Sequence, residues 1–280
     1  MPDEDTEVID VNGSCNCGKI QFRAQGPILW KGMCHCRACC RARGMTPVQL
    51  LAVPVPNFKV TKGDVKVTGS PLGAMTHAFC RDCGTHIFQC PAGATFRALY
   101  PTIFHELKPH PFLFHPEKSI NYENRVYDLP LSPPSTEAIA AAEPLDVVAS
   151  CNCAGGGVKL NVKGTILANV LDHSEAACRP LGMTPVHLCT IDAAGLSATR
   201  ADLIKTSTSQ SKGGPITHSF CKECGCHMFQ TFEGPSATAR VAVYPTTFHV
   251  ETPDMSVTCM VNSLLPEHLK PTTHVHYGER

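Results

Sequence analysis

Net charge is missing from this sequence: 24 Lys+Arg stand against 24 Asp+Glu over 280 residues. No basic run breaks that balance. This excludes the stripe by which nucleic-acid binders hold phosphates, and it leaves no charge attraction to a membrane surface. Long hydrophobic runs are missing too, since no segment approaches the ~18 apolar residues that a membrane-crossing helix needs. The start, Met1-Pro2-Asp3-Glu4-Asp5, is acidic and no apolar stretch follows it, unlike a secretory leader. A cytoplasmic protein without nucleic-acid or membrane partners is expected. Breaker-free stretches are also scarce, because 23 Pro and 21 Gly punctuate the chain. Short antiparallel strands joined by turns are therefore expected rather than long helices.

What the sequence does have is cysteine, 17 in all. A reducing compartment disfavours disulfides, and an odd count cannot pair completely. Metal ligation is the leading use.

The chain also repeats itself. Ser14-Cys15-Asn16-Cys17 returns as Ser150-Cys151-Asn152-Cys153, and Gly44-Met45-Thr46-Pro47-Val48 returns as Gly182-Met183-Thr184-Pro185-Val186. Phe79-Cys80-Arg81-Asp82-Cys83-Gly84 returns as Phe220-Cys221-Lys222-Glu223-Cys224-Gly225, and Tyr100-Pro101-Thr102 as Tyr244-Pro245-Thr246. Colinear matches of this kind mark a tandem duplication. The expected division is a first domain over 1–128, a Pro/Ala-rich linker over 129–146 with a short helix near Glu137–Glu143, and a second domain over 147–280. Alternating segments such as Ile20–Ala24, Phe58–Thr61, Val65–Thr68 and Val158–Val162 read as strands. The fold class is mainly β, with the two copies forming an internal pseudo-dimer.

The repeat sorts the cysteines. Copy one holds Cys15-x-Cys17, Cys34-x-Cys36-x-x-Cys39 and Cys80-x-x-Cys83. Copy two keeps Cys151, Cys153, Cys221 and Cys224, but it places Asp172, Ser174 and Ala177 opposite Cys34, Cys36 and Cys39. Ligands of one metal are kept or lost together. Cys15, Cys17, Cys80 and Cys83 thus form a closed four-thiolate structural zinc site, and Cys151, Cys153, Cys221 and Cys224 form its counterpart. Cys34, Cys36 and Cys39 form a separate three-thiolate site with one position open, as a catalytic zinc requires. Three zinc ions per chain are expected. Cys40 and its counterpart Cys178 read as buried small residues, because Cys178 persists where the triad is gone. The alternative, in which Cys40 closes the third site and makes it structural, stays open.

These motifs resemble the glutathione-dependent formaldehyde-activating enzyme family, which also includes centromere protein V. The resemblance rests on Gly13-Ser14-Cys15-Asn16-Cys17-Gly18, Cys34-His35-Cys36-Arg37-Ala38-Cys39 and Phe79-Cys80-Arg81-Asp82-Cys83-Gly84. Copy two carries the first and third motifs only. The resemblance implies a β-tent of small antiparallel sheets around zinc, a structural zinc at the four cysteines and a labile catalytic zinc at the three. It also implies carbon–sulfur lyase or synthase chemistry on a small-molecule thiol or carbonyl substrate, with glutathione as a possible co-substrate.

Beside the triad, Arg37, Arg41 and Arg43 are candidates for a substrate carboxylate, with an ordinary solvated turn as the equal alternative. His35 is the candidate for acid–base work, although its recurrence as His173 argues for architecture. Two other functions compete: a lyase or dehydratase acting on a larger carbonyl substrate without glutathione, and a non-enzymatic zinc scaffold for a protein partner. The oligomeric state is not specified by the sequence.

Overall fold

Residues 7–44, 46–69, 75–105, 118–120, 144–153, 156–182, 185–232, 239–248 and 273–275 are described by the computed structural model. Strict alternation builds the first hairpin. Val8–Ser14 (β1) and Gln21–Pro27 (β2) turn Ile9, Val11, Phe22 and Ala24 inward and leave Asp10 and Arg23 outside as an ion pair. Copy one continues with Trp30–Cys34 (β3), Arg37–Arg43 (α1), Val48–Pro54 (β4), Phe58–Lys62 (β5), Lys66–Gly69 (β6), Met75–Phe79 (β7), His86–Pro91 (β8), Phe96–Leu99 (β9) and Lys118–Ile120 (β10). A three-stranded sheet β1-β2-β5 faces a seven-stranded sheet ordered β10-β3-β4-β9-β8-β7-β6.

Copy two repeats the plan. Its elements are Pro144–Ser150 (β11), Lys159–Thr165 (β12), Ala168–Asp172 (β13), Glu175–Leu181 (α2), Val186–Asp192 (β14), Leu196–Thr199 (β15), Ile204–Ser211 (β16), Gly214–Cys221 (β17), His227–Phe232 (β18), Arg240–Val243 (β19) and Thr273–Val275 (β20). Its sheets are β11-β12-β15 and β16-β17-β18-β19-β14-β13-β20, the same order read from the other edge. The protein is mainly β, as the alternation and the Pro/Gly content indicate.

Three details differ from the sequence reading. The edge strands β10 and β20 run parallel to β3 and β13, while the other ladders are antiparallel. Strand β11 begins at Pro144, so the stretch assigned to the linker gives its last three residues to a sheet in which Leu145 is buried. A short helix follows each of β3 and β13, where only a cysteine-bearing turn was expected. Arg and Ala favour that helix in α1, and Gly44, with φ of 72°, ends it in the left-handed conformation. The remainder of the linker and its expected helix lie outside the described residues.

The two copies pack face to face with reciprocal contacts. A Cβ on Gly84 would stand 2.7 Å from the Phe220 ring, and one on Gly225 would stand 2.7 Å from Phe79. Both glycines also have φ above 70°, so each ring needs a residue that lacks a side chain and can turn left-handed. Lys66 pairs with Glu223 while Lys205 pairs with Asp82. Arg41 donates to the Ser150 carbonyl at 3.1 Å, and Arg179 donates to Ser14 Oγ at 3.1 Å. At the centre His86 and His227 meet at 6.5 Å between ring centroids, flanked by His77 and His218. One apolar core runs through the junction, joining Leu99 and Tyr100 to Leu181, Val186 and Tyr244. Reciprocity of this kind is that of a two-fold dimer interface, here within one chain.

Candidate metal centres

Each four-cysteine cluster is assembled by two turns. The β1–β2 turn carries Cys15 and Cys17, and the β7–β8 turn carries Cys80 and Cys83; all four sulfurs lie within 4.8 Å of one another. Cys15 and Cys17 sulfurs are 3.4 Å apart, and Cys17 and Cys80 are 3.8 Å apart. In copy two Cys151, Cys153, Cys221 and Cys224 gather in the same way, with Cys153 and Cys221 at 3.8 Å. Disulfide sulfurs would be ~2.05 Å apart, so these are free thiols. Four thiolates ~2.3 Å from one zinc sit ~3.8 Å from each other at tetrahedral angles, and the clusters fit that donor set. Backbone and hydroxyl donors already point at the sulfurs. Ile20 N donates to Cys15 Sγ at 3.3 Å, and Cys83 Sγ is 3.2 Å from Thr85 Oγ1.

The third cluster is Cys34, Cys36 and Cys39, also within 4.8 Å and all buried. Cys34 ends β3, Cys36 is the N-cap of α1 and Cys39 lies in its first turn. Hydrogen bonding among the three thiols, together with burial, pushes the Cys39 thiol well above its ordinary value. Packed thiols of this kind ionise together only when a cation neutralises them. The N-cap shows what the cluster displaces. Cys36 makes no side-chain cap, whereas its counterpart Ser174 accepts from Ala177 N at 3.3 Å, as a helix N-cap usually does. Copy two has a capped helix where copy one has a thiol of the cluster.

Cys40 stays outside the cluster. Its thiol donates to the Cys34 carbonyl at 3.7 Å, and Cys178 donates likewise to the Asp172 carbonyl at 3.3 Å. Among the described residues, Asp172, His173, Glu175 and Cys178 gather no metal cluster of their own. Instead Asp172, Ser174 and Glu175 line an open pocket of about 470 Å³ bordered by the β16–β17 hairpin and Phe232. The equivalent hairpin tip of copy one, residues 70–74, lies outside the described residues.

Behind the triad stands a polar relay that the spacing did not reveal. Gln89 on β8 donates from Nε2 to Cys39 Sγ at 2.9 Å, and its Oε1 accepts from Tyr100 Oη at 2.7 Å. Arg43 is fully buried, with its guanidinium 4.0 Å over the Tyr100 ring and Nη2 3.3 Å from Gln89 Oε1. Nη2 also approaches His77 Nδ1 at 3.4 Å, so that nitrogen carries the lone pair. Burial, then the nearby Arg43 charge, lower the His77 pKa to about 3. The signal for Gln89 was available in the sequence, since Gln230 repeats it, but a lone glutamine has no motif.

Of the three candidate arginines, Arg41 is engaged with Ser150 across the interface and Arg43 lies inside the core, both shut off from solvent. The reason is the helix itself, which points its last turn into the junction between the copies. The Arg37 side chain lies outside the described residues. His35 and His173 are both buried at equivalent places after β3 and β13. No helix among the described residues is long and apolar enough to cross a membrane.

Comparison with known proteins adds a family. A solved Rhodobacter sphaeroides protein from structural genomics is similar at 19% identity and a TM-score of 0.32, over 39% of this chain and 99% of that one. No curated protein matches the chain. The model of the glutathione-dependent formaldehyde-activating enzyme family matches residues 10–116 and again 146–277, once on each copy. Matched over most of its length, the chain belongs to the glutathione-dependent formaldehyde-activating enzyme family.

Proposed function

We propose that the protein is a zinc-dependent lyase of the carbon–sulfur type whose only active site is the three-cysteine cluster of copy one. The observation that carries this reading is the asymmetry of the clusters. Among the described residues the four-cysteine groups occur in both copies, while the group of three, which leaves a coordination position free, occurs in one. On this reading 1–128 is the working domain, 129–143 a connector and 144–280 a domain with a structural zinc alone. The intended substrate is a small thiol of the glutathione kind or a carbonyl compound, and a reducing, cytoplasmic setting keeps the thiols available.

Zinc held by Cys34, Cys36 and Cys39 supplies Lewis acidity and one exchangeable position for a sulfur or carbonyl oxygen. The chain supplies the rest. Gln89 draws charge from Cys39 through its N–H···S bond, and Tyr100 fixes the amide so that the nitrogen, not the oxygen, faces the sulfur. Burial keeps bulk water from the cluster. Arg37 is the arginine we retain for a substrate carboxylate, and His35, adjacent in sequence to two ligands, is our candidate proton carrier.

The test is a zinc count by native mass spectrometry with a turnover screen. Wild type should hold three ions and Cys36→Ser two, with turnover abolished and the fold intact, because serine is the better N-cap there. Full turnover by Cys36→Ser overturns the assignment. Two ions in both proteins move the scaffold reading ahead, and product formed without glutathione favours the larger-carbonyl reading.

A further inference from the structure

Arg43 is an unusual residue to bury. Its side chain is fully enclosed, and among the described residues its Nε and Nη1 have no hydrogen-bond partner. Among the described residues no carboxylate forms an ion pair with it, although arginine keeps its charge at any ordinary pH. An unpaired buried cation carries a large desolvation penalty unless an anion nearby offsets it. The groups it touches directly are neutral: Gln89, Tyr100 and His77. Two thiols, Cys39 and then Cys226, lie close enough for their charge to act on the guanidinium. Gln89 links it to Cys39, its amide touching the guanidinium at one end and the sulfur at the other.

Copy two provides the control. There Leu181 stands at the place of Arg43 and Ala177 at the place of Cys39. The scaffold around them is retained: Tyr244 still donates to Gln230 Oε1, at 3.0 Å. Gln230 Nε2, however, is buried with no hydrogen-bond partner among the described residues. Copy two therefore keeps the glutamine and tyrosine as packing and lacks the arginine along with the thiols. Arg41, two positions earlier on the same helix, is kept as Arg179 because it serves the interface.

We propose that Arg43 is the fixed counter-charge of the three-cysteine centre, a positioning residue that stabilises the bound metal and its anionic ligand set. This rests on the reading of that cluster as a zinc site. Three thiolates and one dication sum to a net charge of −1, which the guanidinium cancels. An additional thiolate from a substrate would otherwise raise the buried charge to −2. In a medium of low polarity such a balance matters far more than it does in water. Arg43 thus biases the free position toward a sulfur anion.

The test compares Arg43→Leu, which copies copy two, with Arg43→Lys, which keeps the charge. The probe is zinc itself, removed from the full-length protein by a competing chelator, with melting temperature recorded alongside. Wild type should lose its weakest ion in a distinct phase. Arg43→Leu should lose that ion at least tenfold more readily and keep the other two. Arg43→Lys should stay within about threefold of wild type. Equal retention by Arg43→Leu overturns the proposal, as does an Arg43→Lys variant as leaky as Arg43→Leu, which would make shape rather than charge the cause. If the leucine variant does not fold, the lysine variant alone decides, since its leakage overturns the proposal and its retention supports it. Wild type holding two ions overturns the functional reading first, and this inference with it.

Discussion

Helices α1 and α2 have the same length, follow equivalent strands and end on equivalent glycines, yet they serve different purposes. Positions kept between them, Cys40 with Cys178, Arg41 with Arg179 and Gly44 with Gly182, bond back to the preceding strand or press on the other copy. Three of the positions changed between them, Cys36 to Ser174, Cys39 to Ala177 and Arg43 to Leu181, are the three-cysteine cluster and its surroundings. One helix is therefore two superimposed patterns, a shared one that builds the interface and a private one that builds the cluster. Either can be altered without the other.

Breaking the four-cysteine sites that both copies share should have the largest effect. Cys80→Ser and Cys221→Ser each dismantle a four-cysteine site, and closed zinc sites supply folding free energy of about 10 kcal/mol or more. Both variants should lose the cooperative melting transition, in calorimetry, to a similar extent. An unchanged transition for Cys221→Ser alone would mean that copy two is not stapled as copy one is.

The glycine contacts come next. Gly84→Ala and Gly225→Ala push a methyl into a ring at a left-handed backbone position, at a cost of about 2–3 kcal/mol each. Matching losses in chemical denaturation would support the reciprocity, and a tolerant Gly225 would break it. Replacing Arg41 by Met should cost about 2 kcal/mol, because the Ser150 carbonyl loses a charged donor inside the core. Arg179→Met should cost less, since Arg179 is partly exposed and shares itself with Glu175.

The mildest effect near neutrality is that of pH. Burial lowers His77 to about 3 and His86 and His218 to about 4, and it holds His227 well below its ordinary value of 6.5. The folded chain keeps these rings neutral while the unfolded chain protonates them near 6.5. Their contribution is complete above that pH and is lost as pH falls from about 6.5 toward 3–4. Melting temperature should decline across that window, and His86→Phe should flatten the slope. A slope unchanged by that substitution would assign the acid sensitivity to the thiolates instead.

The duplication, the strands and the grouping of eleven cysteines were legible because each rests on short spacing or on a pattern repeated within the chain. Cys36 could be assigned because Ser174 differs from it. The interface was not legible. Gly84 meets Phe220 and Arg41 meets Ser150 across more than a hundred residues, and no local period encodes such pairs. Arg43 was misleading for another reason. A charged residue beside two others reads as a solvated turn or an anion site, and only the packed structure reveals a cation enclosed beside thiols. The helices escaped because seven residues hold too few turns for a periodicity to emerge.

The reciprocal glycine and phenylalanine contacts have one more consequence. In a homodimer built on such an interface, every substitution occurs twice, once on each side of the axis, and both sites must accept it. Joining the halves into one chain removes that obligation. Leu181 can occupy one side while Arg43 occupies the other, and a helix can be mended with serine on one side without disarming its twin. Fusion gives this protein the liberty of being asymmetric on a symmetric frame.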